Sequence, residues 1–134
     1  AALASGFHHS HADHGEGFCT FNGLVVAVEA LRAAGRVERV AVLDMDLHYG
    51  NGTASLAAAR PYLFNASIYG NDYFNNKAFR DVSERQHVDG ANHVSWALPN
   101  GSGRGEMLAA LEAAFEAILA WGRPDLLLYQ AGAD

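Results

Sequence analysis

The chain has 134 residues, half of them hydrophobic and 18% charged, which gives it enough apolar side chains for one modest core and excludes a disordered segment. Its formal net charge is -6 and its nine Lys and Arg residues form no cluster, which excludes the concentrated positive surface that nucleic acid needs. A single cysteine, Cys19, excludes an intrachain disulfide and fits a reducing, cytoplasmic setting.

No run of 18 apolar residues exists, so no segment reads as a membrane span, and the first residues lack the charged start and apolar stretch of a signal peptide. Residues 1–21 read as a loop carrying His8, His9, His11 and His14. Asn22 is a good N-cap for a helix over Gly23 to Ala34, with Gly35 at C′ and Leu24, Val28 and Leu31 as its buried stripe. Arg39 to Met45 predicts a strand apolar on both faces, as a covered parallel strand should be. Thr53 is expected to cap a short helix over Ala54 to Ala59, closed by Pro61.

Leu63 to Tyr69 reads as a second strand, Gly70 to Gly90 as a long irregular binding loop, and His93 to Leu98 as a third strand. Gly105 to Trp121 predicts the clearest helix, with Leu108, Leu111, Phe115, Ile118 and Leu119 on one broad face. Asp125 to Gln130 is the last strand, and the chain stops at Asp134 in A-G-A-D. Strands alternating with helices imply a three-layer α/β/α fold around a mainly parallel sheet. Both ends look cut, so the expected body is part of a longer domain.

Chemistry concentrates in V-A-V-L-D-M-D-L-H-Y-G-N-G-T, residues 40–53. Side chains alternate along a strand, so an extension persisting this far would project Asp44, Asp46 and His48 to one side. Carboxylate oxygen with imidazole nitrogen suits zinc or another first-row divalent ion, whereas a D-x-D alone would suit backbone capping. Asp134, also after an apolar strand, is a candidate third ligand. His11 and His14 have no clear partner in the sequence and read as solvent-exposed; His87 and His93 read as structural or exposed, and Cys19 as a small buried thiol.

The runs H-H-S-H-A-D-H-G-E-G-F-C-T-F-N at 8–22 and L-D-M-D-L-H-Y-G-N-G-T at 43–53, with the terminal A-G-A-D, resemble the histone deacetylase family. That family includes acetylpolyamine amidohydrolases and acetoin-utilisation proteins. The resemblance implies that residues 1–134 are part of a single arginase/deacetylase-like catalytic domain. It implies a zinc-dependent amidohydrolase that removes an acetyl or acyl group from an acetylated lysine or polyamine, using metal-activated water. Asp46, His48 and Asp134 resemble the zinc ligands, and Asp44 resembles the carboxylate that pairs with His8. His9 resembles the general base and later acid, with Asn51 orienting it, and Gly17 and Phe18 resemble the acyl-lysine tunnel wall. The backbone around Asp44, Asp46 and His48, with Ser67 and Ile68, resembles a structural K+ or Na+ site.

Two departures stand beside these matches. The family's oxyanion tyrosine belongs to a glycine-rich loop beyond the position of Asp134, and residues 68–77 lack the usual Phe-Phe-Pro-Gly run, leaving Tyr73 or Phe74 as the second tunnel aromatic. Two other readings of the same residues are a metal-binding fragment without turnover and a magnesium-dependent phosphohydrolase using Asp44 as nucleophile.

Overall fold

A computed structural model describes residues 7–70, 86–88 and 91–132. The predicted ligand Asp134 and the predicted tunnel aromatics Tyr73 and Phe74 lie outside the described residues. The elements run α1 (Gly23–Ala33), β1 (Val40–Asp44), α2 (Asn51–Ala58), β2 (Leu63–Gly70), β3 (Gln86–Val88), β4 (His93–Leu98), α3 (Arg104–Trp121) and β5 (Leu126–Gln130).

The sheet order is β3-β4-β2-β1-β5. β1 pairs in parallel with β2 and β5, and β2 in parallel with β4, while β3 runs antiparallel to β4. The three-layer expectation therefore holds. Ala41 and Leu43 of β1 join Phe64, Ala66, Ile68 and Trp96 under α3, whereas Val40 and Val42 join Leu63 under α1 and α2. Because β1 neighbours β2 on one side and β5 on the other, its carboxyl end opens where connections diverge, the usual ligand position in such sheets. Among the described residues no helix is long and apolar enough to cross a membrane.

Helix α1 begins and ends as its sequence dictates. The Asn22 side chain accepts from the Val25 amide at 3.1 Å, satisfying one orphan donor of the first turn. Gly35 takes φ +64°, and the amides of Gly35 and Arg36 donate to Arg32 and Leu31, which closes the last turn as only a residue free of a Cβ does cheaply. Its fully covered side chains are Val25 and Val28, while Leu24 and Leu31 are half-buried.

Three expectations need correction. Helix α2 starts at Asn51 with Gly50 as its cap, not at Thr53. Thr53 is buried inside the first turn, where its amide donates to the His8 carbonyl at 3.0 Å and its hydroxyl accepts from the Asn22 amide nitrogen at 3.0 Å. The expected irregular run over 70–90 contains the short edge strand β3, whose three residues are too few to show a period. Helix α3 buries Ala110, Ala114 and Ile118, while Leu108, Phe115 and Leu119 of the predicted face stand exposed. Ala110 and Ala114, one turn apart, let the helix lie close to the bulky β-sheet side chains Phe64 and Trp96.

Candidate active site

Asp44 is the last residue of β1 and continues the face of Val40 and Val42, toward α2. It is completely buried, and its Oδ2 accepts from His8 Nδ1 at 2.7 Å while its Oδ1 accepts from the Asp46 amide at 3.1 Å. Burial pushes the Asp44 carboxyl up, and the His8 hydrogen bond opposes that. His8 is itself buried, so the pair is a desolvated histidine–carboxylate contact whose imidazole has a fixed orientation. Gly50 makes room for it, because a Cβ there would collide with the Asp44 carboxylate.

His9 lies beside it, with ring centroids 4.1 Å apart. Its Nδ1 meets Asn51 Oδ1 at 2.7 Å. An amide oxygen only accepts, so Nδ1 carries the proton and Nε2 the lone pair. Burial holds the His9 imidazolium below the usual histidine range, more strongly than the Asn51 hydrogen bond raises it. Asn51 in turn donates through Nδ2 to Glu16 Oε1, which holds the Glu16 carboxyl below its ordinary range. Glu16 is a partner the sequence did not reveal, since the contact depends on how the loop returns on itself.

Asp46 and His48 follow β1 in the loop. Asp46 Oδ1 lies 3.4 Å from His48 Nδ1 and 3.6 Å from His8 Nε2, and it also accepts from the His48 amide at 2.9 Å. The end of β5 reaches the same place, for a Cβ on Gly132 would overlap the Asp46 carboxylate. The His9 and His48 rings stand edge-to-face with centroids 6.0 Å apart. His8, His9, Asp44, Asp46, His48 and Asn51 thus gather at one end of the sheet.

Gly17 and Phe18 adopt φ +53° and +62°. Gly17 needs its missing side chain, because a Cβ would strike the His9 ring. Phe18 is the non-glycine residue held in the left-handed region among the described residues, and its ring is fully exposed; such strain gathers at ligand clamps. Cys19 is buried and its thiol is pushed up by that burial, which keeps it an inert core group. His93 is buried and structural, with Nε2 against the Tyr49 hydroxyl at 2.7 Å and Nδ1 near Asn65.

His11 and His14 do have partners, contrary to the expectation from sequence. Their rings stack with centroids 4.4 Å apart and an interplanar angle of 11°. His11 Nδ1 meets the Ser55 hydroxyl and His14 Nδ1 meets the Asp13 carboxylate, each at 2.7 Å. The H-x-x-H-x-E spacing was the available signal.

The family described as "Histone deacetylase domain" matches residues 1–134. A histone deacetylase-like amidohydrolase of Pseudomonas aeruginosa is 34% identical over 129 residues, covering 95% of this chain and 33% of that protein. An acetylpolyamine amidohydrolase of Burkholderia pseudomallei is 34% identical over 131 residues, covering 95% of this chain and 37% of that protein. The crystal structure of an acetylpolyamine aminohydrolase from Burkholderia pseudomallei superimposes with a TM-score of 0.77 at 30% identity, covering 94% of this chain and 36% of the other. The chain therefore spans little more than a third of the length of these relatives.

Proposed function

The chain belongs to the histone deacetylase family, and from that we propose that it forms part of the single catalytic domain of a zinc-dependent amidohydrolase. Its reaction is removal of an acetyl group from an acetylated lysine or an acetylated polyamine, the amine carriers that its relatives' names point to. One observation carries this reading: His9, with its Nδ1 proton committed to Asn51, stands beside the buried His8–Asp44 pair and the donors Asp46 and His48.

The donor set fits the metal. Two ligand atoms at zinc–ligand distances of about 2.0–2.2 Å on a tetrahedral ion lie about 3.3–3.6 Å apart, and Asp46 Oδ1 and His48 Nδ1 are separated by 3.4 Å. Gly132 carries the chain past Asp46 shortly before Asp134, which supports Asp134 as the remaining ligand. Zinc held there would polarise the scissile carbonyl and acidify a water. The chain's own residues supply the rest. His9 Nε2, its imidazolium form disfavoured by burial, takes a proton from the water and later returns one to the departing amine. Asn51 fixes which nitrogen does this. The Asp44 carboxylate orients His8 beside it. Gly17 lets the backbone close on His9, and the exposed Phe18 ring offers an apolar wall for the substrate's aliphatic arm.

A structural K+ or Na+ beside Asp44, Asp46, His48, Ser67 and Ile68 is part of the same reading. Ser67 stands opposite Asp44 in the β1–β2 register, and its buried hydroxyl makes no hydrogen bond among the described residues. The phosphohydrolase reading loses its nucleophile, because Asp44 is wholly buried and bound to His8.

A metal-binding fragment without turnover is the second reading, favoured by tyrosines that are occupied elsewhere: the Tyr49 hydroxyl meets His93 and that of Tyr62 donates to Glu29. Zinc content after equilibration, with acetate release from acetyl-lysine peptides and acetylated polyamines, decides. Zinc with turnover that His9→Ala removes is the expected result. Zinc without turnover selects the fragment reading, and no bound zinc in the wild type overturns both.

A further inference from the structure

The active-site histidines are followed at once by a second group of ligand-type side chains. His11, His14 and Glu16 each offer one ligand atom, and these atoms all lie within 4.8 Å of one another. We propose that His11, His14 and Glu16 form a second divalent-cation site, separate from the Asp46–His48 centre, that takes zinc or a neighbouring late first-row ion. Two imidazoles and one carboxylate are the mixed nitrogen–oxygen set such ions prefer, with coordination positions left for water.

The surroundings prepare both imidazoles as ligands. Ser55 Oγ donates its own proton to the Gly52 carbonyl at 2.8 Å, so toward His11 it acts as acceptor. His11 therefore carries its proton on Nδ1 and a lone pair on Nε2. The Asp13 carboxylate imposes the same tautomer on His14. A carboxylate behind the distal nitrogen, as Asp13 stands behind His14, is a usual partner of a metal-bound histidine and raises its basicity. His11 Nε2 already stands 3.6 Å from Glu16 Oε1, at the upper end of the roughly 3.3–3.6 Å separation of two ligands on a tetrahedral zinc. His11 and His14 also line an open cavity of about 480 Å³ with Asp13 and Phe21, which gives an ion a route in from solvent.

The placement gives the site a neighbour of consequence. Glu16 Oε1, the atom facing His11, also accepts from Asn51, and Asn51 holds His9. An ion on Glu16 would therefore sit one hydrogen-bond link from the residue that orients the base.

The inference stands independently of the proposed reaction, and zinc titration of the metal-free chain tests it. Two equivalents should bind, one lost in His14→Ala and the other lost in Asp46→Asn. Asp13→Asn should weaken the His14-dependent equivalent by about 10-fold to 100-fold. In the wild-type chain, imidazole 15N resonances of His11 and His14 should shift at Nε2 as that equivalent binds, a readout that does not depend on any variant folding. A single equivalent that survives His14→Ala, or His11 and His14 resonances that stay fixed at saturation, overturns the site. A wild-type chain that binds only the His14-dependent equivalent would count against the proposed catalytic centre and leave this site standing.

Discussion

His8–His9 and His11–His14 share one loop, and each pair has ring-to-ring contact and oxygen partners at 2.7 Å. What separates them is water. Asp44 behind His8 is completely buried, whereas Asp13 behind His14 is exposed. Identical hydrogen bonds therefore carry different weight, because a buried charge has no solvent to replace a lost partner. On the proposed reading the inner pair serves orientation and proton transfer, whereas the outer pair stays open to solvent.

The largest expected effect breaks the inner pair's chemistry. His9→Ala should lower kcat for acetate release by about 100-fold to 10,000-fold, with zinc content unchanged; steady-state kinetics and metal analysis check both. A stability contrast comes next. Asp44→Ala leaves a buried imidazole without its carboxylate and should cost about 3–5 kcal/mol by denaturant unfolding, whereas Asp13→Ala in the metal-free chain should leave the unfolding midpoint in place. Equal costs at the two positions would remove burial as the distinction.

A smaller effect concerns the backbone that closes on His9. Gly17→Ala places a Cβ on the His9 ring at φ +53° and should cost about 1–2 kcal/mol for the left-handed backbone alone, read as a lower midpoint. Smallest of all is the surface pair of Glu29 with Arg60, 2.5 Å apart and joined by the Tyr62 hydroxyl. Its Arg60 hydrogen bond, followed by that of Tyr62, holds Glu29 below the usual carboxylate range. A carboxyl depressed in the folded state adds stability above its unfolded pKa of about 4.3. That stability is lost as pH falls through the folded value. Glu29→Gln should therefore cost about 0.5 kcal/mol at pH 7 and nothing once both states are protonated, with acetate release unchanged; unfolding curves across that range check it.

Some of this was legible in the residues. The helix over Gly23 to Ala33 follows from Asn22 and Gly35, whose cap roles depend on local backbone alone. The parallel strand Val40–Asp44 follows from an apolar run on both faces. The nearness of His8 to Asp44 was anticipated through the family resemblance. Other features depend on what lies opposite. Leu108, Phe115 and Leu119 are the bulkiest side chains of α3, yet Ala110 and Ala114 face the sheet because Phe64 and Trp96 already fill that layer. Thr53 reads as a cap, but Gly50 starts the helix earlier and the His8 carbonyl takes the Thr53 amide. The link from Glu16 to Asn51 joins a loop residue to the first residue of α2, far away in sequence, and no local pattern encodes such a return.

The backbone contact between the histidine loop and α2 has a kinetic corollary. Gly52 presses on the His9–Ser10 backbone, and the side-chain bonds that fix the histidines join residues 36, 42 and 44 positions apart. Each such bond requires a long loop to close before it gives anything back. The local turns of α1 and α2 and the β1–β2 pairing can form ahead of it. The site should thus be among the last parts to assemble, with mutations at Gly52 accelerating unfolding far more than they slow folding.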